Sequence, residues 1–141
     1  MACIFCDIVA GTAPSTIVAE SDSTLAFMDI NPATPGHLLV IPKRHSTDLT
    51  DIPADDLTEV TRVAQRLAKV ALDTLDADGV NLLNCCGADA WQSVFHFHMH
   101  VIPRYADTTK DSLRLPWRPG QGGNPTAITD LGQRLATAAA Q

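Results

Sequence analysis

The chain has 141 residues, 45% of them apolar and 18% charged, with a formal net charge of −6. That length suits one domain with a real core, and the acidic balance argues against a nucleic-acid backbone as the main partner while leaving room for a small anionic ligand held by local donors. No apolar run is long enough to span a membrane, no Lys/Arg cluster marks a membrane-facing surface, and the N-terminus lacks the pattern of a signal peptide, so the cytoplasm is the expected setting.

In chain order, residues 3–9 read as a short helical turn ended by Gly11 and Pro14. Thr16 to Ala19 and Leu25 to Asp29 read as two strands around a polar turn at Glu20 to Ser23. Asn31-Pro32 and Pro35-Gly36 punctuate a loop. The near-continuous apolar run from His37 to Pro42 predicts a central strand stopped by Pro42, with Lys43-Arg44-His45 at its end. A long helix follows. Asp51 is its expected cap, Pro53 sits in its first turn, and Asp55, Asp56 and Glu59 suit the positive end of its dipole. Leu57, Val60, Ala64, Leu67, Ala71 and Leu75 recur at helical spacing as its apolar face. Asp78-Gly79 closes this unit. Val80 to Leu83 predicts another strand, Asn84 to Gln92 a polar loop, and Ser93 to Ile102 a strand closed by Pro103. Leu113 to Pro125 is rich in Pro and Gly and reads as irregular, and Ala127 to Ala139 as a short alanine-rich helix. No repeat or linker divides the chain, so residues 1–141 form one α+β domain with a mostly antiparallel sheet.

The predicted strand at Ser93 to Ile102 carries the chemistry. Side chains alternate faces along a strand, so His96, His98 and His100 project together while Phe95, Phe97, Met99 and Val101 pack the other side. One histidine on such a face is ordinary polar filling, but three in register point to a site. The trio suits a metal, as in a zinc hydrolase held by all three rings, or a nucleophilic imidazole oriented by its neighbours. The four cysteines fall in two close pairs. Cys3 and Cys6 have Cys-x-x-Cys spacing, which in a reducing compartment favours a metal or packing role. Cys85 and Cys86 are adjacent and read as small residues at a strand end, since neighbouring cysteines bridge poorly.

The run His96-Phe97-His98-Met99-His100-Val101-Ile102 resembles the signature of the histidine triad (HIT) family. Gln92-Ser93-Val94-Phe95, Phe27-Met28-Asp29-Ile30, the strand His37 to Pro42 with Lys43-Arg44-His45, and Cys3-Ile4-Phe5-Cys6 resemble its nucleotide hydrolase and transferase branch. These blocks keep the family's order from residue 3 to about 105, leaving 106–141 as a C-terminal extension. The resemblance implies a small HIT-like α+β fold, a homodimer, and binding of a purine nucleotide. It implies cleavage at the α-phosphate of a nucleoside phosphoramidate, an aminoacyl-adenylate or a dinucleoside polyphosphate.

By position in the motif, His98 is the nucleophile and forms a nucleotidyl-imidazole that water later hydrolyses. His100 would hydrogen-bond the phosphoryl or bridging oxygen and is a candidate general acid. Ser93 and Gln92 would donate to the α-phosphate or leaving group, with Asn84 contributing from a facing strand end. Asp29 would accept from the ribose hydroxyls, though a solvated carboxylate is the default for such a residue. Ile4, Phe5, Ile8, Phe27 and Ile30 match the family's apolar base-binding wall, and equally suit plain core. Cys3, Cys6, His45 and His96 form a structural zinc set, with no cofactor required for the chemical step. Trp91 departs from the family's pattern, in which a small residue, commonly Gly, precedes this Gln-Ser pair. That leaves the second half of the substrate open. A contrasting reading is a non-catalytic nucleotide-binding adaptor, although intact His98, His100, Ser93 and Gln92 favour catalysis.

Overall fold

The computed structural model describes residues 2–141. Its elements are α1 (Ile4–Val9), β1 (Ile17–Glu20), β2 (Thr24–Met28), β3 (Leu38–Pro42), α2 (Ala54–Leu75), β4 (Gly79–Leu83), a 3₁₀ turn at Ala88–Ala90, β5 (Met99–Arg104) and α3 (Pro125–Ala139). All strand pairs are antiparallel, and one sheet runs in the order β1-β2-β3-β5-β4. The α+β expectation therefore holds.

Both faces of the central strands are covered, which is why β2 and β3 are apolar at nearly every position. On one face Ala26, Leu38, Val40 and Val101 meet Val60, Val63, Ala64 and Leu67 of α2. On the other, Leu25, Phe27, Leu39 and Ile41 meet Phe5 of α1. Val63 joins the buried stripe of α2, whereas Leu75, expected there, lies in the last turn and is largely exposed. Asp51 is not the helix cap: its carboxylate accepts from the backbone of Thr47 and Asp48, and the N-cap position belongs to Pro53. Asp56 is buried on α2 because Arg44 reaches it at 3.0 Å.

The histidine strand is shorter than expected. Pairing begins at Met99, opposite Val40, and at His100, opposite Leu83. Upstream the backbone is irregular, because Phe97 N–H bonds the Ser46 carbonyl at 2.7 Å instead of a neighbouring strand. Phe95, expected to pack beside Phe97, is consequently exposed. Pro103 does not close β5; it lies within it, opposite Val80. Pairing with β3 has already ended at Val101, so that side of Pro103 needs no ladder N–H. The C-terminal helix starts at Pro125, capped by Asn124 accepting from Ala127 N–H at 3.0 Å. Every residue from 114 to 141 is exposed.

Candidate active site and metal centre

Register brings the titratable groups to one patch. Phe27 pairs with Leu39 and Leu39 with His100, so these side chains form a row on the α1 face. Asp29, two beyond Phe27, and His37, two before Leu39, share that face by parity. Alternation survives the irregular segment: Phe97 enters the α2-side core, while Phe5 meets His96 and His98 edge-on at 5.9 and 5.3 Å.

Backbone groups decide which nitrogen of each ring carries hydrogen. His98 Nδ1 lies 2.8 Å from the His96 carbonyl, which only accepts, so Nδ1 is the protonated nitrogen. Burial pushes His98 below its usual pKa, so near neutrality Nε2 keeps a free lone pair. His96 is the reverse: Nε2 donates to the Pro42 carbonyl at 2.8 Å, leaving the Nδ1 lone pair toward Cys3 and Cys6.

The third ring is set through His37, which the sequence reading treated only as the start of a strand. Ala33 N–H donates to His37 Nδ1 at 2.9 Å. Burial keeps His37 neutral, so its hydrogen sits on Nε2 and is donated to His100 Nδ1, 2.9 Å away. His100 then carries its hydrogen on Nε2. Burial pushes His100 down to about 4, with His98 and His37 adding to the effect and Asp29 opposing it. This alters the expectation that His100 is a general acid. The free protein holds it neutral, and a second proton would have to enter Nδ1, which already accepts from His37. The available sequence signal for His37 was its parity with Leu39 and Ile41, which puts it on the histidine face.

A cavity of about 360 Å³ opens over this patch, at the small end of ligand-pocket sizes. His98, His100, Ser93, Asp29, Ile30, Phe27, Phe5, Ile4 and Ile8 all line it. Ile4 and Ile30 are exposed at its mouth, while Phe5 and Phe27 are buried as its floor, edge-on at 5.3 Å. One Asp29 oxygen accepts from Asn31 N–H at 2.8 Å; the other lies 3.5 Å from His37 Nε2 and 4.0 Å from His100 Nδ1.

Gln92 and Asn84 are not brought to this cavity. Gln92 is buried, accepting from Gly87 N–H at 2.8 Å and donating to the carbonyls of Thr47 and Val94 at 2.8 and 3.2 Å. It braces the loop that presents Ser93. Asn84 donates to the His98 carbonyl at 2.9 Å, and its Oδ1 is buried with no partner among the described residues. Trp91 takes the left-handed conformation at φ 74° with its indole exposed. For a non-glycine residue that conformation costs roughly 1–2 kcal/mol, a cost that a glycine here would avoid.

Cys3, Cys6, His45 and His96 offer four donor atoms within 4.8 Å of one another. Cys3 Sγ and Cys6 Sγ each lie 3.5 Å from His96 Nδ1, and Cys6 Sγ lies 3.3 Å from His45 Nδ1. A tetrahedral zinc with bonds of about 2.3 Å to sulfur and about 2.0 Å to nitrogen separates S and N by roughly 3.5 Å. The His96 Nε2–H bond to Pro42 is the outer support such a ligand uses. The cluster therefore fits zinc. Asp29, His37 and His100 also lie within 4.8 Å of one another, but they do not fit. A metal on His37 Nε2 would require hydrogen on Nδ1, where Ala33 already donates.

A HIT domain is matched over residues 10–107. The chain belongs to the HIT domain family. An adenosine 5'-monophosphoramidase of Candida albicans is 40% identical over 137 residues, covering 94% of this chain and 88% of that one. A zinc-bound histidine triad family protein from Mycobacterium smegmatis is 44% identical with a TM-score of 0.75, over 84% of this chain and 86% of its own. A HIT family member from Bacillus subtilis has a TM-score of 0.86 at 35% identity, over 97% of this chain and 96% of its own. No helix among the described residues of this HIT protein is long and apolar enough to cross a membrane.

The buried histidines make the fold acid-sensitive. His37, His96, His98 and His100 all lie below their unfolded value of 6.5. Below that pH the unfolded chain takes up protons that the folded chain resists. Stability is therefore expected to be full above about pH 6.5 and to fall as pH drops toward 4. Urea midpoints measured from pH 7.5 to 4.5 check this; a flat profile contradicts the neutral assignments.

Proposed function

We propose that this HIT protein is a nucleotide hydrolase that cleaves at the α-phosphate of an AMP-containing substrate, a purine nucleoside phosphoramidate first, through a nucleotidyl-His98 intermediate. Family membership and the Candida relative support hydrolysis of a nucleotide. The observation that carries the finer reading is the pair of opposite tautomers. His98 has a free Nε2 lone pair, and His100 beside it, ring centroids 5.0 Å apart, has an Nε2 hydrogen.

His98 Nε2 forms a bond to the α-phosphorus as the P–N bond breaks, and the leaving amine takes a proton from solvent. Water then attacks phosphorus, the P–Nε2 bond breaks, and the water's proton returns to solvent. His100 Nε2–H and the Ser93 hydroxyl donate to phosphoryl oxygens and stabilise the charge that builds there. Asp29 accepts from the ribose hydroxyls, and Ile4 and Ile30 close on the base. Gln92 and Asn84 act through the loop and the His98 backbone. A zinc ion on Cys3, Cys6, His45 and His96 supplies cross-linking rather than chemistry.

Mass spectrometry of protein quenched during turnover of an adenosine phosphoramidate tests the intermediate. An AMP-sized adduct on His98 is the expected result; product without adduct after fast quenching would replace the mechanism with direct attack by water.

His37 acts as a positioning residue. His37→Ala releases His100 Nδ1 and lets both tautomers of His100 populate. Turnover is expected to fall on the order of 10²-fold, the cost typical of one misplaced donor. Nitrogen-15 shifts of His100 should move away from the pure Nε2–H form. Turnover lost with that tautomer unchanged would assign His37 another role.

Two copies associate, in this reading, across the open edge of the sheet. β4 forms that edge, β1 being the other outer strand, and Leu82 and Leu83 on β4 are 44% and 37% exposed. An apolar unpaired edge favours a twofold partner.

A further inference from the structure

We propose that Ser15 and Asn31 read the polar edge of the base at the far end of the cavity, with Asn31 paired to the 6-amino group of adenine. The inference rests on the reading just given, in which this cavity holds the nucleotide with its α-phosphate at His98. Two polar side chains in the cavity wall take no part in that reading. Asp29, Ser93, His98 and His100 serve the ribose and the phosphate, which leaves Ser15 and Asn31.

The sheet fixes where they stand. β1 and β2 are antiparallel with Ile17 opposite Phe27, and Met28 N–H still bonds the Thr16 carbonyl at 2.9 Å beyond the start of β1. One further step of that register puts Ser15 opposite Asp29, on the face that Phe27 shares with Leu39 and His100. Across the sheet that face reads His100 on β5, Leu39 on β3, Phe27 on β2, then Ser15 in line with β1. Three strand spacings, about 14 Å, separate the first from the last. A nucleotide laid across them, phosphate at His98 and ribose at Asp29, points its base toward Ser15. Asn31 reaches the same end through a turn, its backbone N–H donating to Asp29 Oδ1 at 2.8 Å. Ser15 is half-buried and Asn31 exposed. Among the described residues neither the Ser15 hydroxyl nor the Asn31 carboxamide has a hydrogen-bond partner.

The rest of this end does not discriminate. Ile4, Ile8, Phe27 and Ile30 offer apolar contact that the flat face of any base accepts. Discrimination needs donors and acceptors matched to an edge. A carboxamide sets one acceptor oxygen beside an NH₂ donor. Adenine presents the complement on both sides of its amino group, N6–H with N7 and N6–H with N1, so Asn31 pairs bidentately with either side. Guanine presents two acceptors, O6 and N7, on one side, and the carboxamide satisfies only one of them. Among the described residues no lysine or arginine lines the cavity, so that two-acceptor edge lacks its usual cationic partner. The Ser15 hydroxyl both donates and accepts, and meets the remaining ring nitrogen.

Hydrolysis of nucleoside 5'-phosphoramidates with one common leaving amine tests the proposal, the nucleoside being adenosine, guanosine or purine riboside, which lacks the 6-amino group. The full-length, zinc-loaded protein is expected to favour adenosine over purine riboside in kcat/KM by roughly fivefold or more, the worth of one hydrogen bond, and to favour it over guanosine. Asn31→Ala should slow the adenosine substrate and bring the adenosine to purine riboside ratio to about one. Ser15→Ala should raise the KM for the adenosine substrate a few-fold. Equal rates on adenosine and purine riboside overturn the proposal and leave the hydrolase reading standing. So does a ratio that survives Asn31→Ala, or a preference for guanosine. An unchanged KM in Ser15→Ala overturns the part assigned to Ser15. Kd values for the three nucleoside monophosphates repeat the comparison without chemistry. Turnover of none, with the preference for AMP intact, overturns the hydrolase reading alone; neither turnover nor binding overturns both.

Discussion

His98→Ala is expected to reduce hydrolysis of an adenosine phosphoramidate by about 10⁴-fold or more while changing the Kd for AMP by no more than a few-fold. Removing a covalent nucleophile eliminates the stepwise path and leaves only the donors around the phosphate, a loss typically of that order. Binding survives because the nucleotide contacts assigned to Asp29, Ile4 and Ile30 do not pass through His98. Single-turnover rates and AMP calorimetry on the variant check both halves. Retention of most of the rate would remove His98 from the mechanism, and loss of AMP affinity would show that His98 shapes the cavity instead. His98 is also expected to set the acidic limb of kcat/KM. Its pKa lies below the ordinary value of 6.5, so activity should hold to below pH 6.5 before protonation of Nε2 removes the nucleophile.

The second large effect is on stability. Stripping zinc with a chelator, or Cys6→Ser, is expected to lower the thermal midpoint on the order of 10 °C, with activity at 25 °C declining only as the protein unfolds. The four ligands come from the start of α1, the segment after β3 and the loop before β5. One ion there would tie together three parts of the chain. Without a cation, burial and the neighbouring Cys3 push the Cys6 thiol up, so the thiolate is disfavoured where the cluster needs it. Differential scanning calorimetry beside an activity time course separates this from a catalytic metal. Instant loss of turnover with an unchanged midpoint would favour the zinc hydrolase reading. The geometry speaks against that reading, because the Nδ1 lone pair of His96 faces Cys3 and Cys6 while His98 Nδ1 is spent on the His96 carbonyl.

Much of the fold was legible because its signals are local. Strong periodicity marked α2 within a few residues, and the apolar run at His37 to Pro42 marked the central strand. The errors came where long-range bonds replaced local ones. Asp51 looked like a cap but is held by Thr47 and Asp48, and Pro103 looked like a stop but falls where one neighbour has ceased pairing. Segment 93–98 looked like strand, yet Ser46 takes its backbone bond. In the candidate site, Gln92 and Asn84 carry the right chemistry, but their amides are turned to backbone carbonyls that no spacing rule foresees.

Sequence alone determined that three histidines face one way, that a Cys-x-x-Cys precedes them, and that Asp29 and the apolar residues around it belong to the same block. Alternation and spacing are properties of the local chain, and they survive whatever the chain packs against. The tertiary structure decided what each histidine is. An imidazole's role depends on which nitrogen holds hydrogen, and that is fixed by whatever donor or acceptor stands opposite. The Pro42 carbonyl turns the His96 lone pair toward the cysteines, the His96 carbonyl turns that of His98 toward the cavity, and Ala33, acting through His37, puts hydrogen on the outer nitrogen of His100. Each of these contacts joins groups between 2 and 63 residues apart in sequence, and only folding brings them within 3 Å.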